Sequence, residues 1–311
     1  MRGVHSATVE AFAGLLPVYV ILAIGVAARH AGLLNESSAA GLNRLVAQVA
    51  LPALLLLKVG TASLAHSFSP AVVAVTTALA LLTAGVALAL GRMWRLPDAQ
   101  MGVLAQAAQR GNLAYVGFPV ILAAGGEAAL RTAAVTAAVL IPMMNLLAVG
   151  ILERFRGGPR PRRLVLRVIG NPLVASALAG LGLAAAGWRP WPWLATTLET
   201  LADFALPAAL LALGSQLTVG RWRGVAKPLC AAATLKLIVA PAAGRWALEA
   251  LGASPTEVLV GVLLLAAPSA VASYPVAVEL GGDRDLAAAA VVVSTAAAVV
   301  TYVAWRALLG T

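Results

Sequence analysis

The sequence has little charge. Of 311 residues only 11% are Asp, Glu, Lys or Arg, and only 12 are acids. A soluble globular chain carries about 25% charged residues. With 61% hydrophobic residues, this composition belongs to a polytopic membrane protein, which excludes most soluble enzyme classes. The single cysteine, Cys230, rules out an internal disulfide, and only three histidines occur, His5, His30 and His66. Without a second thiol they cannot furnish an ordinary zinc or iron–sulfur ligand set, so neither a metal nor a cofactor is expected. GxSG and HExxH motifs are missing, and LGGD at 280–283 lacks the first Gly of GxGD. An intramembrane enzyme is therefore not expected.

What is present is long apolar sequence. A bilayer core takes about 20 apolar residues per helix. Charge-poor windows then predict ten spans, near 10–30, 42–62, 70–93, 100–125, 128–152, 168–187, 196–218, 225–249, 257–280 and 285–308. All seven tryptophans fall near the ends of these spans, where an amphipathic ring prefers to lie. The first run has no small-residue cleavage site after it and is read as a retained span.

The formal charge of +10 would suggest nucleic acid in a soluble protein. Here it is a topology signal, and no nucleic-acid partner is expected. Arg29, Arg44, Arg92, Arg95, the Arg-rich segment 153–167, Arg221, Arg223, Lys227 and Arg284 fall on one side of the membrane. Arg2, Lys58, Arg131, Arg189, Arg245 and Arg306 fall on the other. The richer side is expected to be cytoplasmic, which places both termini outside the inner (plasma) membrane and makes 153–167 a basic cytoplasmic linker.

Sliding the chain against itself by about 155 residues superposes its prolines and glycines. Pro17 meets Pro172, Gly25 meets Gly180, and Pro52 in ALPALLLLKVG meets Pro207 in ALPAALLALGS. With one residue more, Pro119 meets Pro275, and Gly125 and Gly126 meet Gly281 and Gly282. Two units result, 1–152 and 168–311. Each has five spans, an odd number, so the second inserts upside down relative to the first. Inverted repeats of this kind build secondary transporters.

Proline within a span removes a backbone donor and clashes with the preceding turn, which frees polar backbone groups at depth. The fourth span carries Asn112, Gly117 and Pro119, and the ninth carries Pro268, Ser269, Ser273, Tyr274 and Pro275. The repeat register lays Asn112 on Pro268, so both spans are expected to break at matching depth. Half-helix N-termini there suit a carboxylate. Two cations lie inside spans, Arg110 and Lys236, and each must face a cavity, pair or snorkel. Asn145, after Pro142, is a further candidate for the site, and Asp203 is the candidate for a coupling proton.

The runs GNLAYVGFP (111–119), the two ALPA turns, LKLIVAP (235–241) and AAPSAVASYPVAVELGGDRDLAAAAVVVST (266–295) together resemble the auxin efflux carrier family, over essentially the whole chain. The resemblance implies an all-α membrane fold of ten transmembrane helices, with a scaffold of spans 1, 2, 6 and 7 and a moving core of spans 3–5 and 8–10. It also implies that spans 4 and 9 cross at their breaks and form the substrate site. Asn112, Gly117 and Pro119 match the family's fourth-span motif, and Pro268 its first ninth-span proline. The second ninth-span proline is displaced, to Pro275. The implied function is elevator-like transport of small organic acids. The expected partners are the lipid bilayer and a small organic-anion substrate, with a homodimer one arrangement open to it. The alternatives are a sodium-coupled organic-anion symporter of the bile-acid symporter type and a passive channel.

Overall fold

The computed structural model describes residues 2–156, 170–217 and 224–310, with side chains from Phe12 onward apart from His66 and Arg156. The linker beyond Arg156, together with Arg221 and Arg223, lies outside the described residues. The elements are α1 (Arg2–His30), α2 (Glu36–Leu45), a π-helical turn (Val46–Ala50) running into α3 (Leu51–Gly60), the short α4 (Leu64–Ser67), α5 (Pro70–Met93) and α6 (Asp98–Gln109). A second π turn (Leu113–Gly117) leads into α7 (Phe118–Arg156), followed by α8 (Pro172–Ala185), α9 (Pro192–Gln216) and α10 (Ala226–Thr234). A third π turn (Leu235–Val239) leads into α11 (Ala240–Ala250), then α12 (Pro255–Leu265), α13 (Ser273–Glu279) and α14 (Arg284–Leu309).

Among the described residues 7 helices are long and apolar enough to cross a membrane, and α8 and α12 are shorter apolar helices. Several start on a side-chain oxygen followed by proline. Ser69 accepts from Val72 N before Pro70, Asn171 from Leu173 N before Pro172, and Ser254 closes a capping box with Glu257 before Pro255. Each cap satisfies a first-turn N–H, and proline costs nothing where no intrahelical donor is needed. α7 is interrupted at Gly126, whose φ of 68° and ψ of −167° suit a residue without a Cβ; it divides the helix into arms of 118–125 and 127–156.

The three π turns share one cause. Each ends two residues before a proline, namely Pro52, Pro119 and Pro241. A proline ring clashes with the carbonyl four residues back and cannot donate to it, and widening the preceding turn relieves the clash. At Pro241 that carbonyl belongs to Leu237, and the Trp305 indole N–H donates to it at 2.8 Å. The sequence thus opens a helix and supplies the lost donor from another one.

α1 packs along α9, and α3 packs against α8 and α9. The α1–α9 crossing is a backbone contact, since a Cβ on Gly25 would lie 3.1 Å from Gly214 Cα, and a Cβ on Gly214 would collide with the Leu22 carbonyl. Such small residues let helices approach where lipid offers no hydrophobic drive. α5, α6, α7, α10, α11, α12 and α14 pack against one another as a second group. Lys58 on α3 reaches Glu127, just past the α7 break, at 2.6 Å and ties the two groups together.

Candidate functional site

The site begins where two helices stop. α6 ends at Gln109, and Arg110 (φ −88°, ψ 99°) continues in extended backbone. α12 ends at Leu265, and the chain stays non-helical as far as Ala272. The two extended stretches run antiparallel and meet. Gly111 bridges Ser269, Asn112 N–H donates to the Pro268 carbonyl at 2.7 Å, and Ala270 N–H donates to the Arg110 carbonyl at 3.0 Å. Proline is tolerated at 268 because the pairing uses only its carbonyl.

A broken helix leaves carbonyls that need donors. At the α6 end, Arg110 N–H donates to Gln106 O at 2.9 Å, Ser269 Oγ to Ala107 O at 3.0 Å, and Lys236 Nζ to Gln109 O at 3.4 Å. Ser269 N–H in turn donates to Ser294 Oγ at 2.9 Å. Gly111 permits this packing, since a Cβ there would lie 2.9 Å from Lys236 Nζ and 3.3 Å from Ala267 Cβ.

Beside the ribbon is a cavity of about 660 Å³. Arg110, Asn112, Tyr115, Asn145 and Tyr274 line it on the crossing side. Asn43, Gln48 and Gln216 line it from α2, the first π turn and the end of α9. Arg110 is 7% exposed; its guanidinium donates to the Asn145 side-chain oxygen and, at 3.3 Å, to the Ala272 carbonyl. Asn112 is also buried, and its Nδ2 has no hydrogen-bond partner. Tyr115 OH donates to Asn43 Oδ1 at 2.9 Å, joining the second π turn to α2. Among the described residues, the buried charged side chains are Arg110 and Lys236, and no Asp or Glu is buried.

Of the residues singled out from sequence, Arg110, Asn112, Asn145, Tyr274 and Pro275 come together on the cavity wall. The others fall elsewhere. Gly117 and Pro119 shape the turn behind the wall, Gly117 through its N–H to the Asn112 carbonyl at 3.1 Å. Pro268 and Ser269 belong to the ribbon itself, and Ser273 is buried at the start of α13. Lys236 lies behind Gly111 and not on the wall. Asp203 is on an exposed part of α9 and does not line the cavity. Asn43, Gln48 and Gln216 were missed by a search for buried charge. Their signal is an uncharged amide within or at the edge of an apolar run.

A second cavity, of about 740 Å³, lies at the other end of α3, among Ser63, Ser69, Arg131, Thr132, Ser254 and Glu257.

The sequence profile of a family described as membrane transport protein matches residues 11–157 and again 160–306. The chain belongs to that family, which includes the auxin efflux carriers. An uncharacterized transporter of Methanothermobacter thermautotrophicus is 25% identical over 300 residues, covering 95% of this chain and 97% of that protein. A Rhizobium meliloti protein named provisionally as a malonate transporter is 27% identical over 201 residues, covering 61% of this chain and 62% of that protein. The two matched segments each cover about half of the chain.

Proposed function

We propose that this membrane transport protein is a secondary active carrier for small organic anions of the carboxylate class. The observation behind this reading is the cavity at the helix crossing, which offers the Arg110 guanidinium and an unpartnered Asn112 amide while no buried carboxylate among the described residues neutralises them. Buried cations are costly in hydrocarbon, by about 2.5 to 3.5 kcal/mol each on insertion scales, and an anionic ligand offsets that cost. The malonate named for the Rhizobium meliloti relative is one acid of this class.

Ten spans in two inverted five-span repeats follow if the Gly126 break separates the fourth span from the fifth, α8 is the sixth, and α12 with α13 forms the broken ninth. α1, α3, α8 and α9 then form the scaffold, and the remaining spans form the core that carries the site. Elevator-like movement of core against scaffold gives alternating access. The cavity reaches Asn171 at the start of α8 and Leu217 after α9, ends that the arginine distribution assigns to the cytoplasm. The form described is therefore inward-facing, in a bacterial-type inner membrane, with the Lys58–Glu127 pair on its closed outer side. The exposed Phe12, Leu16, Val20 and Ile24, one stripe along α1, supply apolar surface to lipid or to a second copy in a homodimer.

Counterflow in proteoliposomes tests the reading. Liposomes loaded with unlabelled malonate should transiently accumulate labelled malonate, with saturation. Uptake that does not saturate and shows no counterflow would replace the carrier by a pore, and failure of every mono- and dicarboxylate to compete would remove the substrate class.

A further inference from the structure

The buried Lys236 has no role in contacting the ligand, because it is behind Gly111 and outside the cavity wall. It is 2% exposed, its Nζ is 3.4 Å from the Gln109 carbonyl, and no carboxylate among the described residues is buried beside it. What the ammonium faces is the C-terminal end of a half-helix, where the last carbonyls and the helix dipole present partial negative charge. In carriers with broken helices such ends coordinate the coupling cation. Here the same electrostatic position is filled by a side chain.

The two halves of the molecule make the point by contrast. The register that lays Asn112 on Pro268 lays Lys236 on Ala80 and Arg110 on Ala266, so the second crossing helix has neither cation. Its end is served by neutral donors. Tyr302 OH donates to Leu263 O at 3.3 Å, and Ala267 N–H to Leu264 O at 3.3 Å. A charged donor is thus not a general need of a broken end in this fold. It occurs at the end that continues directly into Arg110, Gly111 and Asn112, the residues that face the ligand.

We propose that the Lys236 ammonium is a covalently held counter-cation at the broken end of α6, which positions Arg110, Gly111 and Asn112 and replaces a monovalent cation that would otherwise have to bind there. This rests on the carboxylate-carrier reading, and it makes ligand binding independent of sodium. Lys236 is a positioning residue, acting through the α6 end and not on the substrate.

The test uses the full chain in lipid nanodiscs, with thermal stability and malonate titration each measured in sodium chloride and in choline chloride. Wild type should give the same melting temperature and the same affinity in both salts. Lys236→Met keeps the side chain's length and removes its charge. It should bind malonate about tenfold more weakly in choline, from the carbonyl left without its donor, and regain affinity and thermal stability as sodium is raised. Lys236→Arg should bind like wild type in either salt. The proposal is overturned if wild type needs sodium, if Lys236→Met binds as wild type does, or if its loss is the same in sodium and choline. Should Lys236→Met not fold, the wild-type comparison of salts and Lys236→Arg still decide. Absence of carboxylate binding by wild type would count against the carrier reading instead, and the sodium effect on the melting temperature of Lys236→Met would still judge the role of Lys236.

Discussion

Replacing Arg110 by Gln removes the one charged group that the described residues place on the cavity wall and leaves most of its surroundings intact. The guanidinium is 7% exposed and donates to Asn145 and to the Ala272 carbonyl, so Gln can keep one of these contacts through its amide. What it cannot keep is the charge. A hydrogen bond to a charged group contributes about 1.5 to 3 kcal/mol, and each 1.4 kcal/mol is a factor of ten in affinity, so Arg110→Gln should weaken malonate binding by roughly 10- to 150-fold. Because the group is buried, raising the salt should change this little. Isothermal titration of the purified, folded variant measures the effect, with malonamide, the uncharged diamide, as control. Malonamide should bind wild type and variant alike. Wild-type affinity for malonate in Arg110→Gln would refute the reasoning. So would an equal loss for malonate and malonamide, since that is damage to shape and not to charge.

Gly214→Ala should lower the melting temperature by several degrees. Its methyl meets the Leu22 carbonyl and lies 3.0 Å from Val26 N on α1, and overpacking of this kind costs about 1–3 kcal/mol. Asn112→Ala should reduce carboxylate affinity and leave the melting temperature near wild type, because the Asn112 Nδ2 has no partner in the protein to lose; unchanged affinity would take Asn112 out of the site. Trp305→Phe removes the donor to Leu237 O and should cost about 1–3 kcal/mol in chemical unfolding. In a Pro241→Ala background residue 241 can make that bond itself, so the cost should shrink, and an undiminished cost would break the link drawn between proline and indole. Lys58→Gln should change stability by less than about 1 kcal/mol, since the partners are 18% and 59% exposed, yet speed labelling at its own end of α3, the outer one in the proposed topology, by up to roughly fivefold.

Much of this architecture is written in prolines and glycines. The internal register that set Asn112 on Pro268 proved to name two residues that hydrogen-bond, and the breaks fall inside the fourth and ninth apolar runs as their composition requires. Backbone consequences of Pro and Gly are local and so can be read along the chain. The direction of a side chain around a helix is not local in that sense. Charge and a central position require only that Lys236 face a cavity, pair or snorkel, and it lies in a widened turn that aims it at the back of the crossing. Asp203 looked available to couple a proton, and it is exposed on the far side of its helix. Tyr115 and Asn43 are 72 positions apart and share a hydrogen bond that no periodicity within either segment predicts.

The ribbon of Gly111 and Ser269 has a consequence for how the protein handles its cargo. It stitches the two halves of the chain together beside the cavity, at Arg110, Asn112, Pro268 and Ala270. In the elevator-like movement proposed above, a wall joined in this way would travel as one piece, with the two extended stretches keeping their register.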